Sequence, residues 1–174
     1  MNKALFLDRD GVINVDYGYV ASIDRMVFCD GIFDLLGAAR DKGYKIIVVT
    51  NQSGVARGLY SEEEFKTLTR QMLKIAFDRG APIGGVYYCP HAPQDNCDCR
   101  KPKSGMFLQA IKDCNIDPSK SWMIGDKLSD MVAASGAGVK RLILLSDQPT
   151  ESGEIFLRRK NLLDTISYFK KAAV

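Results

Sequence analysis

The stretch that decides the fold is Ala4-Leu5-Phe6-Leu7-Asp8-Arg9-Asp10-Gly11-Val12, close to the start of this 174-residue chain. Its first four residues form an apolar run that predicts a buried β-strand. Two carboxylates, on Asp8 and Asp10, follow at the point where that strand ends. In an open α/β sheet the carboxyl ends of the strands border the ligand crevice. Acidic side chains are costly to bury there unless they bind a cation or are otherwise paired.

Two interpretations of this acid pair are open from the stretch alone. An Asp-x-Asp-Gly sequence after a strand fits a simple turn, because Asp and Gly both favour turns. It also fits an oxygen-rich site of the kind that Mg²⁺ prefers. In that case one carboxylate is available as a nucleophile and the other as an acid or base.

Further apolar runs along the chain predict the rest of the sheet. They cover residues 45–50, 85–89, 121–125 and 141–145. Such near-continuous apolar strands indicate burial on both faces, as in a parallel sheet. Start and stop signals between them predict helices over residues 30–43, 61–80, 104–114 and 128–135, with a final amphipathic helix over 161–171. Alternating strands and helices predict a doubly wound α/β fold, organised as a single domain over residues 1–174.

The composition argues against two classes of binding partner, nucleic acids and membranes. The formal net charge of +3 is too small to indicate a nucleic-acid partner. No apolar run approaches the length of a membrane span, and no signal-peptide pattern is visible. We therefore expect a cytoplasmic protein without a membrane or nucleic-acid partner. Nothing in the pattern suggests an exposed apolar seam, so we expect a monomer.

Three of the five cysteines lie within eleven residues, together with the only histidine. An odd cysteine count argues against a disulfide framework, and free thiols suit a reducing compartment. The segments Cys89-Pro90-His91 and Cys97-Asp98-Cys99 supply three sulfurs and one imidazole, a set suited to structural Zn²⁺. Their one-residue gaps are tighter than usual, so unmetallated buried thiols or a redox pair at Cys97 and Cys99 stay open.

Polar residues suited to phosphate chemistry follow four of the predicted strands. Asp8 and Asp10 follow the first, residues 50–54 the second, Arg100-Lys101 the third and residues 125–130 the fourth. Each set taken singly fits a helix cap or a solvated surface pair. Together, in this order, they predict one phosphate site at the carboxyl edge of the sheet.

These residues resemble the motifs of the haloacid dehalogenase superfamily of phosphatases. The matching residues are Asp8-x-Asp10, Thr50, Lys101 and Gly125-Asp126-x-x-x-Asp130. More closely, the chain is similar to the heptose-bisphosphate phosphatase family of that superfamily over residues 8–20, 48–58, 87–91, 97–102 and 124–127. The resemblance implies a Rossmann-like sheet without a large cap domain and a zinc-binding loop at about residues 89–103.

The resemblance also implies roles for individual residues. Asp8 is the expected nucleophile and Asp10 the acid and base, while Thr50 and Lys101 hold the phosphoryl group. Mg²⁺ is expected on Asp8, Asp126 and the backbone carbonyl of Asp10, and structural Zn²⁺ on Cys89, His91, Cys97 and Cys99. The sugar phosphate is expected to contact Asp16, Tyr17, Gly18, Tyr19, Thr50, Asn51, Gln52, Ser53, Arg100, Lys101 and Lys127.

Some questions stay open at this point. Asp130 lies one helical turn beyond Asp126 and either orients Asp126 or Lys101 or serves as a helix-start carboxylate. Histidinol-phosphate phosphatases share the catalytic set and a similar loop, although residues 16–19 favour the heptose family. A non-catalytic, zinc-stabilised module that binds nucleotides or RNA is the alternative from another class, and the modest charge and the intact acid pair argue against it.

Overall fold

A computed structural model of the protein describes residues 1–170. Within them the strands are Lys3–Leu7 (β1), Tyr44–Asn51 (β2), Gly85–Cys89 (β3), Trp122–Gly125 (β4), Arg141–Leu145 (β5) and Leu157–Arg159 (β6). The α-helices are Ile32–Asp41 (α1), Glu62–Asp78 (α2), Gly105–Cys114 (α3) and Leu128–Gly136 (α4). All strand pairs are parallel, in the order β3-β2-β1-β4-β5-β6. This architecture confirms the predicted doubly wound α/β fold.

The sheet is covered on both faces because the inner positions of its central strands are apolar and buried. Successive side chains of a strand point to opposite faces. Leu5 and Leu7 of β1 therefore pack into a core shared with α1 and α2. Ala4 and Phe6 pack into the other core, with α3 and α4. The layers on both faces explain why these strands read as continuous apolar runs.

The strand order places a crevice beside β1. From β1 the chain winds outward through β2 and β3, then returns to β4 on the other side and winds outward again. Leu7 is aligned with Val48 of β2 and with Ile124 of β4. The acid pair that follows Leu7 thus lies where the order reverses, which is the usual ligand position in such sheets.

Two features at the C-terminal end differ from the predictions. The short edge strand β6 was not predicted, because it has only three residues, two of them arginines and none of them buried. The predicted amphipathic helix over 161–171 is wrong for the described residues, which form a six-residue 3₁₀ helix at Leu163–Tyr168; residue 171 lies outside them. The hydroxyl of Thr165 donates to the carbonyl of Leu162 at 2.6 Å. Such local side-chain bonds compete with regular helix.

The helix signals read from the sequence are confirmed elsewhere. Ser61 and Glu64 form the predicted capping box, with the Ser61 hydroxyl accepting from the Glu64 N–H and the Glu64 carboxylate accepting from the Ser61 N–H. This box satisfies two backbone donors at the start of α2. Among residues 1–170, every helix is too short or too polar to cross a lipid bilayer.

Candidate active site

Asp8 lies at the end of β1 as a buried carboxylate, 4% exposed. The ammonium of Lys101 donates to its Oδ1 at 2.9 Å. Ninety-three residues separate the two in sequence, so the sheet topology creates the pair. The predicted nucleophile thus lies beside a fixed positive charge.

Lys101 is almost fully buried and its ammonium has three partners. Besides Asp8, its Nζ lies 2.7 Å from Asp130 Oδ1 and donates to the carbonyl of Val49 at 2.8 Å. Two of its donors form hydrogen bonds, to Asp8 and to Val49, and Asp130 lies beside it as an ion-pair partner. Burial lowers the pKa of Lys101, but Asp8 and Asp130 raise it more, so the net shift is upward. A phosphoryl oxygen would therefore share or replace one of these contacts.

Asp130 fulfils both roles that were left open for it. Its carboxylate pairs with Lys101 and also accepts from the backbone N–H of Lys127 at 3.1 Å, which caps the start of α4. Burial, with the negative charge of Asp8, raises the pKa of Asp130. The helix-start carboxylate is thus also the buried counter-charge of the lysine.

Asp8, Asp126 and Asp130 form what we call the acidic cluster. One ligand oxygen from each lies within 4.8 Å of the others. Asp126 Oδ1 is buried without a hydrogen-bond partner. Burial and the charge of Asp8 raise the pKa of Asp126 to about 7. Lys101, with Lys127 at 3.7 Å from Asp126 Oδ2, opposes three carboxylates and leaves excess negative charge. The free oxygen fits the hard, oxygen-bound Mg²⁺.

Gly11 allows Asp126 to approach the acid pair. A Cβ atom on residue 11 would lie 2.3 Å from Asp126 Oδ2. The backbone there also has φ +84°, a conformation that side chains disfavour. The glycine of the Asp-x-Asp-Gly stretch is thus required by both the turn and the neighbouring carboxylate.

Asp10 is held by three side chains. Arg9, itself 1% exposed, donates to both carboxylate oxygens, at 2.9 Å from its Nη2. Asn14 donates to Oδ1 and Gln52 to Oδ2, each at 3.0 Å. The predicted acid and base is therefore fixed in one orientation.

A cavity of about 570 Å³ opens over this edge of the sheet. It is lined by the predicted acid and base Asp10 and by all the predicted substrate residues except Tyr17 and Thr50, namely Asp16, Gly18, Tyr19, Asn51, Gln52, Ser53, Arg100, Lys101 and Lys127. Tyr60, Pro93, Pro102 and Ser129 also line it and were not predicted. Tyr17 is not among the lining residues, and it is 58% exposed. The cavity walls include parts of two long connections, residues 13–29 and 89–103, and loops of that length are usually functional.

Asn51 has a contact that its motif did not reveal. Its side-chain amide accepts from the N–H of Lys101 and donates to the carbonyl of the same residue, both at 3.1 Å. This two-way bond fixes the backbone of Lys101 from the end of β2. Asn51 lines the cavity, but its amide is engaged by the protein.

Residues that sequence reasoning missed are Arg9, Asn14 and Tyr60. Arg9 and Asn14 lie inside the first motif, so their closeness to Asp10 in sequence was an available signal. Tyr60 belongs to none of the functional motifs. Its hydroxyl donates to Gln52 Oε1 at 2.6 Å, a contact that depends on the turn after β2.

We call Cys89, His91, Cys97 and Cys99 the cysteine cluster. Cys89 Sγ lies 3.0 Å from Cys99 Sγ and 3.5 Å from Cys97 Sγ. His91 Nδ1 lies 3.3 Å from Cys99 Sγ, and all the cysteines are free thiols. Ligands of a tetrahedral zinc lie roughly 3.5–3.8 Å apart. The four ligand atoms thus converge as a zinc site requires.

The thiols of the cysteine cluster differ in pKa, and burial raises the pKa values of Cys89 and Cys99. Burial opposes ionisation of Cys97, but hydrogen bonds involving Cys99 and the Arg100 N–H lower its pKa to about 7. Zinc binds cysteine as the thiolate. Arg100 Nη1 donates to the carbonyl of His91 at 3.2 Å, which connects the cluster to the cavity wall.

Comparisons with known proteins agree with this geometry. Residues 98–157 match the model of the HAD-hydrolase-like family. The chain is 53% identical over 150 residues to the D-glycero-beta-D-manno-heptose-1,7-bisphosphate 7-phosphatase of Haemophilus ducreyi, covering 82% of each chain. It is 45% identical over 169 residues to the D-glycero-alpha-D-manno-heptose-1,7-bisphosphate 7-phosphatase of Campylobacter jejuni, covering 97% of this chain and 96% of the relative. The chain belongs to the heptose-bisphosphate phosphatase family of the haloacid dehalogenase superfamily.

Solved structures of that family share the fold. The D,D-heptose 1,7-bisphosphate phosphatase from B. bronchiseptica, complexed with magnesium and phosphate, superposes with a TM-score of 0.84 at 28% identity. The match covers 95% of this chain and 97% of that one. Membership in the heptose-bisphosphate phosphatase family makes this chain a phosphatase, and confirms the family predicted from the motifs.

Proposed function

We propose that the protein is a Mg²⁺-dependent phosphatase that removes the C7 phosphate of D-glycero-D-manno-heptose 1,7-bisphosphate. The observation that carries the proposal is the acidic cluster, with its partnerless Asp126 oxygen, beside the Asp8–Lys101 pair at the edge of a sugar-sized cavity. Relatives that are about half identical over most of the chain are named for this activity. The products are heptose 1-phosphate and inorganic phosphate.

In the first half of the reaction, a carboxylate oxygen of Asp8 attacks phosphorus. The bond between phosphorus and the C7 oxygen breaks, and Asp10 gives its proton to that oxygen. Asp8, Asp126 and the Asp10 carbonyl would hold Mg²⁺, whose charge allows a carboxylate to meet an anionic phosphate. The result is an aspartyl-phosphate on Asp8 and a released sugar.

In the second half, water attacks the phosphorus of the aspartyl-phosphate. Asp10, now ionised, takes the proton from that water, and the bond between phosphorus and the Asp8 oxygen breaks. Asp8 returns as a carboxylate and inorganic phosphate leaves. Because Asp10 is held by Arg9, Asn14 and Gln52, the same group serves as acid and base without moving far.

Thr50 and Lys101 are proposed to bind the phosphoryl oxygens in both halves. Lysine acts there as a point charge, and positioning with electrostatics supplies most of the catalysis in phosphoryl transfer. Arg100 and Lys127 supply further positive charge on the cavity wall for the second phosphate. Asp16 and Tyr19 supply a carboxylate and a phenol for sugar hydroxyls.

The cysteine cluster is proposed to hold structural Zn²⁺. With all four ligands supplied by the protein, the metal has no open position for substrate. It would fix the loop at residues 89–103, and with it Arg100 and Lys101. Thiolate ligands of this kind persist in a reducing compartment, so we propose a cytoplasmic location.

A panel of phosphate esters tests the proposal. We expect kcat/KM for heptose 1,7-bisphosphate to exceed that for histidinol phosphate by about 100-fold or more, because buried polar groups reject substrates that leave them unpaired. Both anomers belong in the panel, since the similar proteins from Haemophilus ducreyi and Campylobacter jejuni are named for different anomers. A preference for histidinol phosphate would overturn the substrate assignment.

A further inference from the structure

We propose that Tyr60 is a positioning residue for Asp10, and that it acts through the side-chain amide of Gln52. The inference rests on the proposed role of Asp10 as the acid that protonates the leaving oxygen. It changes the role of Gln52 from a substrate contact to a bridge between protein groups. It also assigns a role to Tyr60, which belongs to none of the motifs.

The contacts form a continuous chain from the phenol to the carboxylate. The hydroxyl of Tyr60 donates to Gln52 Oε1 at 2.6 Å. Gln52 Nε2 donates to Asp10 Oδ2 at 3.0 Å and to Thr50 Oγ1 at 2.8 Å. Tyr60 is 6% and Gln52 2% exposed, so water competes little for these bonds.

The hydrogen bonds that connect Tyr60, Gln52 and Asp10 have a direction, because the side-chain amide of Gln52 can lie in either of two orientations. With its nitrogen toward Asp10, the amide donates to a carboxylate, which accepts only. With the amide reversed, its oxygen would face the carboxylate and repel it. The carboxylate of Asp10 sets this orientation, and the hydroxyl of Tyr60 holds it by donating to Oε1.

The same direction prepares Thr50 for phosphate. Thr50 Oγ1 accepts one N–H of Gln52, so its own hydroxyl hydrogen stays available to a phosphoryl oxygen. With the amide reversed, Thr50 would instead donate to the amide oxygen. The Tyr60 hydroxyl thus supports the amide orientation that serves both groups, and we expect its effect on Thr50 to be the smaller of the two.

Gln52 is the contact that ties Asp10 to the neighbouring strand. Arg9 and Asn14 lie in the same turn as Asp10 and move with it. Among the hydrogen bonds to Asp10 within residues 1–170, that of Gln52 alone comes from the end of β2. Its loss would let Asp10 shift relative to Thr50.

The ring of Tyr60 is held so that its hydroxyl meets Gln52. A Cβ on Gly54 would lie 2.2 Å from Tyr60 Cε1, so the ring packs directly on the backbone there. The turn between them is closed by the Leu59 N–H donating to the Gly54 carbonyl at 2.9 Å. Tyr60→Phe keeps the ring and removes the hydroxyl alone.

The test compares two leaving groups in Tyr60→Phe. Protonation by Asp10 matters for a sugar alkoxide and little for p-nitrophenolate, and kcat/KM reports only steps up to formation of the aspartyl-phosphate. We expect kcat/KM for heptose 1,7-bisphosphate to fall about 10-fold or more and that for p-nitrophenyl phosphate less than about 3-fold. Tyr44→Phe, the same change at the far end of β2, is the matched control and leaves both values unchanged.

A double variant tests whether Tyr60 acts on Asp10 through Gln52 or independently of it. In a Gln52→Ala background, Tyr60→Phe should cause no further loss, since the tyrosine acts only through the amide. A further loss in the double variant, or an equal loss for both esters in Tyr60→Phe, would overturn the inference.

Asp10→Asn distinguishes the two levels of the proposal. If Asp10→Asn lowers kcat/KM equally for both esters, the proposed acid role of Asp10 is wrong and this inference falls with it. If Asp10→Asn shows the leaving-group difference and Tyr60→Phe does not, Asp10 keeps its role and only the positioning role of Tyr60 is rejected.

Discussion

The acidic cluster at the ends of β1 and β4 and the cysteine cluster after β3 both gather metal ligands, but different forces hold them. The acidic cluster lies at the end of the central strands and contains its own counter-charge, Lys101. The cysteine cluster lies in a loop and gathers four ligand atoms with no such partner.

This difference suits the acidic cluster to catalysis and the cysteine cluster to a structural role. The acidic cluster is assembled by the sheet, so it persists without metal and leaves an oxygen of Asp126 free for an exchangeable ion. With the zinc proposed for it, the cysteine cluster would depend on the ion to hold its shape, because structural zinc contributes folding energy. Changes at the first should therefore affect chemistry, and changes at the second should affect local order.

The largest expected effect is that of Asp8→Asn. Removing the nucleophile should lower kcat by at least about 10³-fold. Folding stability should not fall, since the change removes one charge from a cluster with excess negative charge. Steady-state kinetics and thermal unfolding measure the two, and exposed Asp24→Asn is the control. Substantial turnover by Asp8→Asn would show that another group attacks phosphorus.

Lys101→Met tests whether Lys101 neutralises buried negative charge in the acidic cluster. It leaves Asp8 and Asp130 buried without their cation, so we expect a loss of about 3 kcal/mol in unfolding free energy and about 100-fold in kcat. Lys103→Met, two residues along, breaks a pair with fully exposed Asp98 and should cost no more than about 0.5 kcal/mol. Equal losses of stability in urea unfolding would contradict the comparison.

Cys99→Ala tests the supporting role of the cysteine cluster. Loss of one ligand should abolish zinc binding and, by releasing Arg100 and Lys101, lower kcat/KM about 10- to 100-fold. Zinc content by elemental analysis and kinetics on the same preparation check this. Cys114→Ala, a cysteine outside the cluster, should keep both. Full activity in a zinc-free Cys99→Ala protein would reject the role.

The smallest expected effect is a pH dependence of the metal-free protein. Burial beside Asp8 raises the pKa of Asp126 from its ordinary 3.8 to about 7 in the folded chain. The folded state therefore binds more protons than the unfolded state between those values, and stability falls as pH rises from about 4 to 7. We expect a loss of about 1–2 kcal/mol in EDTA, since solvent screens part of this carboxylate.

Saturating Mg²⁺ should remove that slope, because the ion replaces the proton on Asp126. Urea unfolding at pH 5 and pH 8, with EDTA and with Mg²⁺, measures the four conditions. The Asp126→Asn variant is the matched control and should show no slope from this group. A slope that is the same with and without Mg²⁺ would argue against an ion on Asp126.

The strands and motifs could be predicted from the sequence because both depend on local residue patterns. The apolar runs of β1 to β5 and the capping box of α2 are local signals, and the structure confirms them. The strand β6 and the 3₁₀ helix that follows it could not be read in this way, since they depend on packing at the edge of the sheet. The positions of Asp8 and Asp126 after two predicted parallel strands likewise predicted that the two lie close together.

The detailed roles within the site required tertiary contacts. Asn51 and Gln52 lie in one motif, yet the first bonds to the backbone of Lys101, fifty residues away, and the second bonds to Asp10. Tyr17 and Tyr19 look equivalent in sequence, but only Tyr19 lines the cavity. Its φ of +48° is a left-handed backbone conformation, which the pattern of side chains in the sequence does not predict.

The most direct test of the central claim is to trap the phosphorylated enzyme. Acid quenching during turnover of heptose 1,7-bisphosphate, followed by peptide mass spectrometry, locates the phosphoryl group. We predict a phosphate on Asp8, dependent on added Mg²⁺ and absent from Asp8→Asn. A phosphate on any other residue, or turnover with no phosphorylated peptide together with an active Asp8→Asn enzyme, would contradict the account.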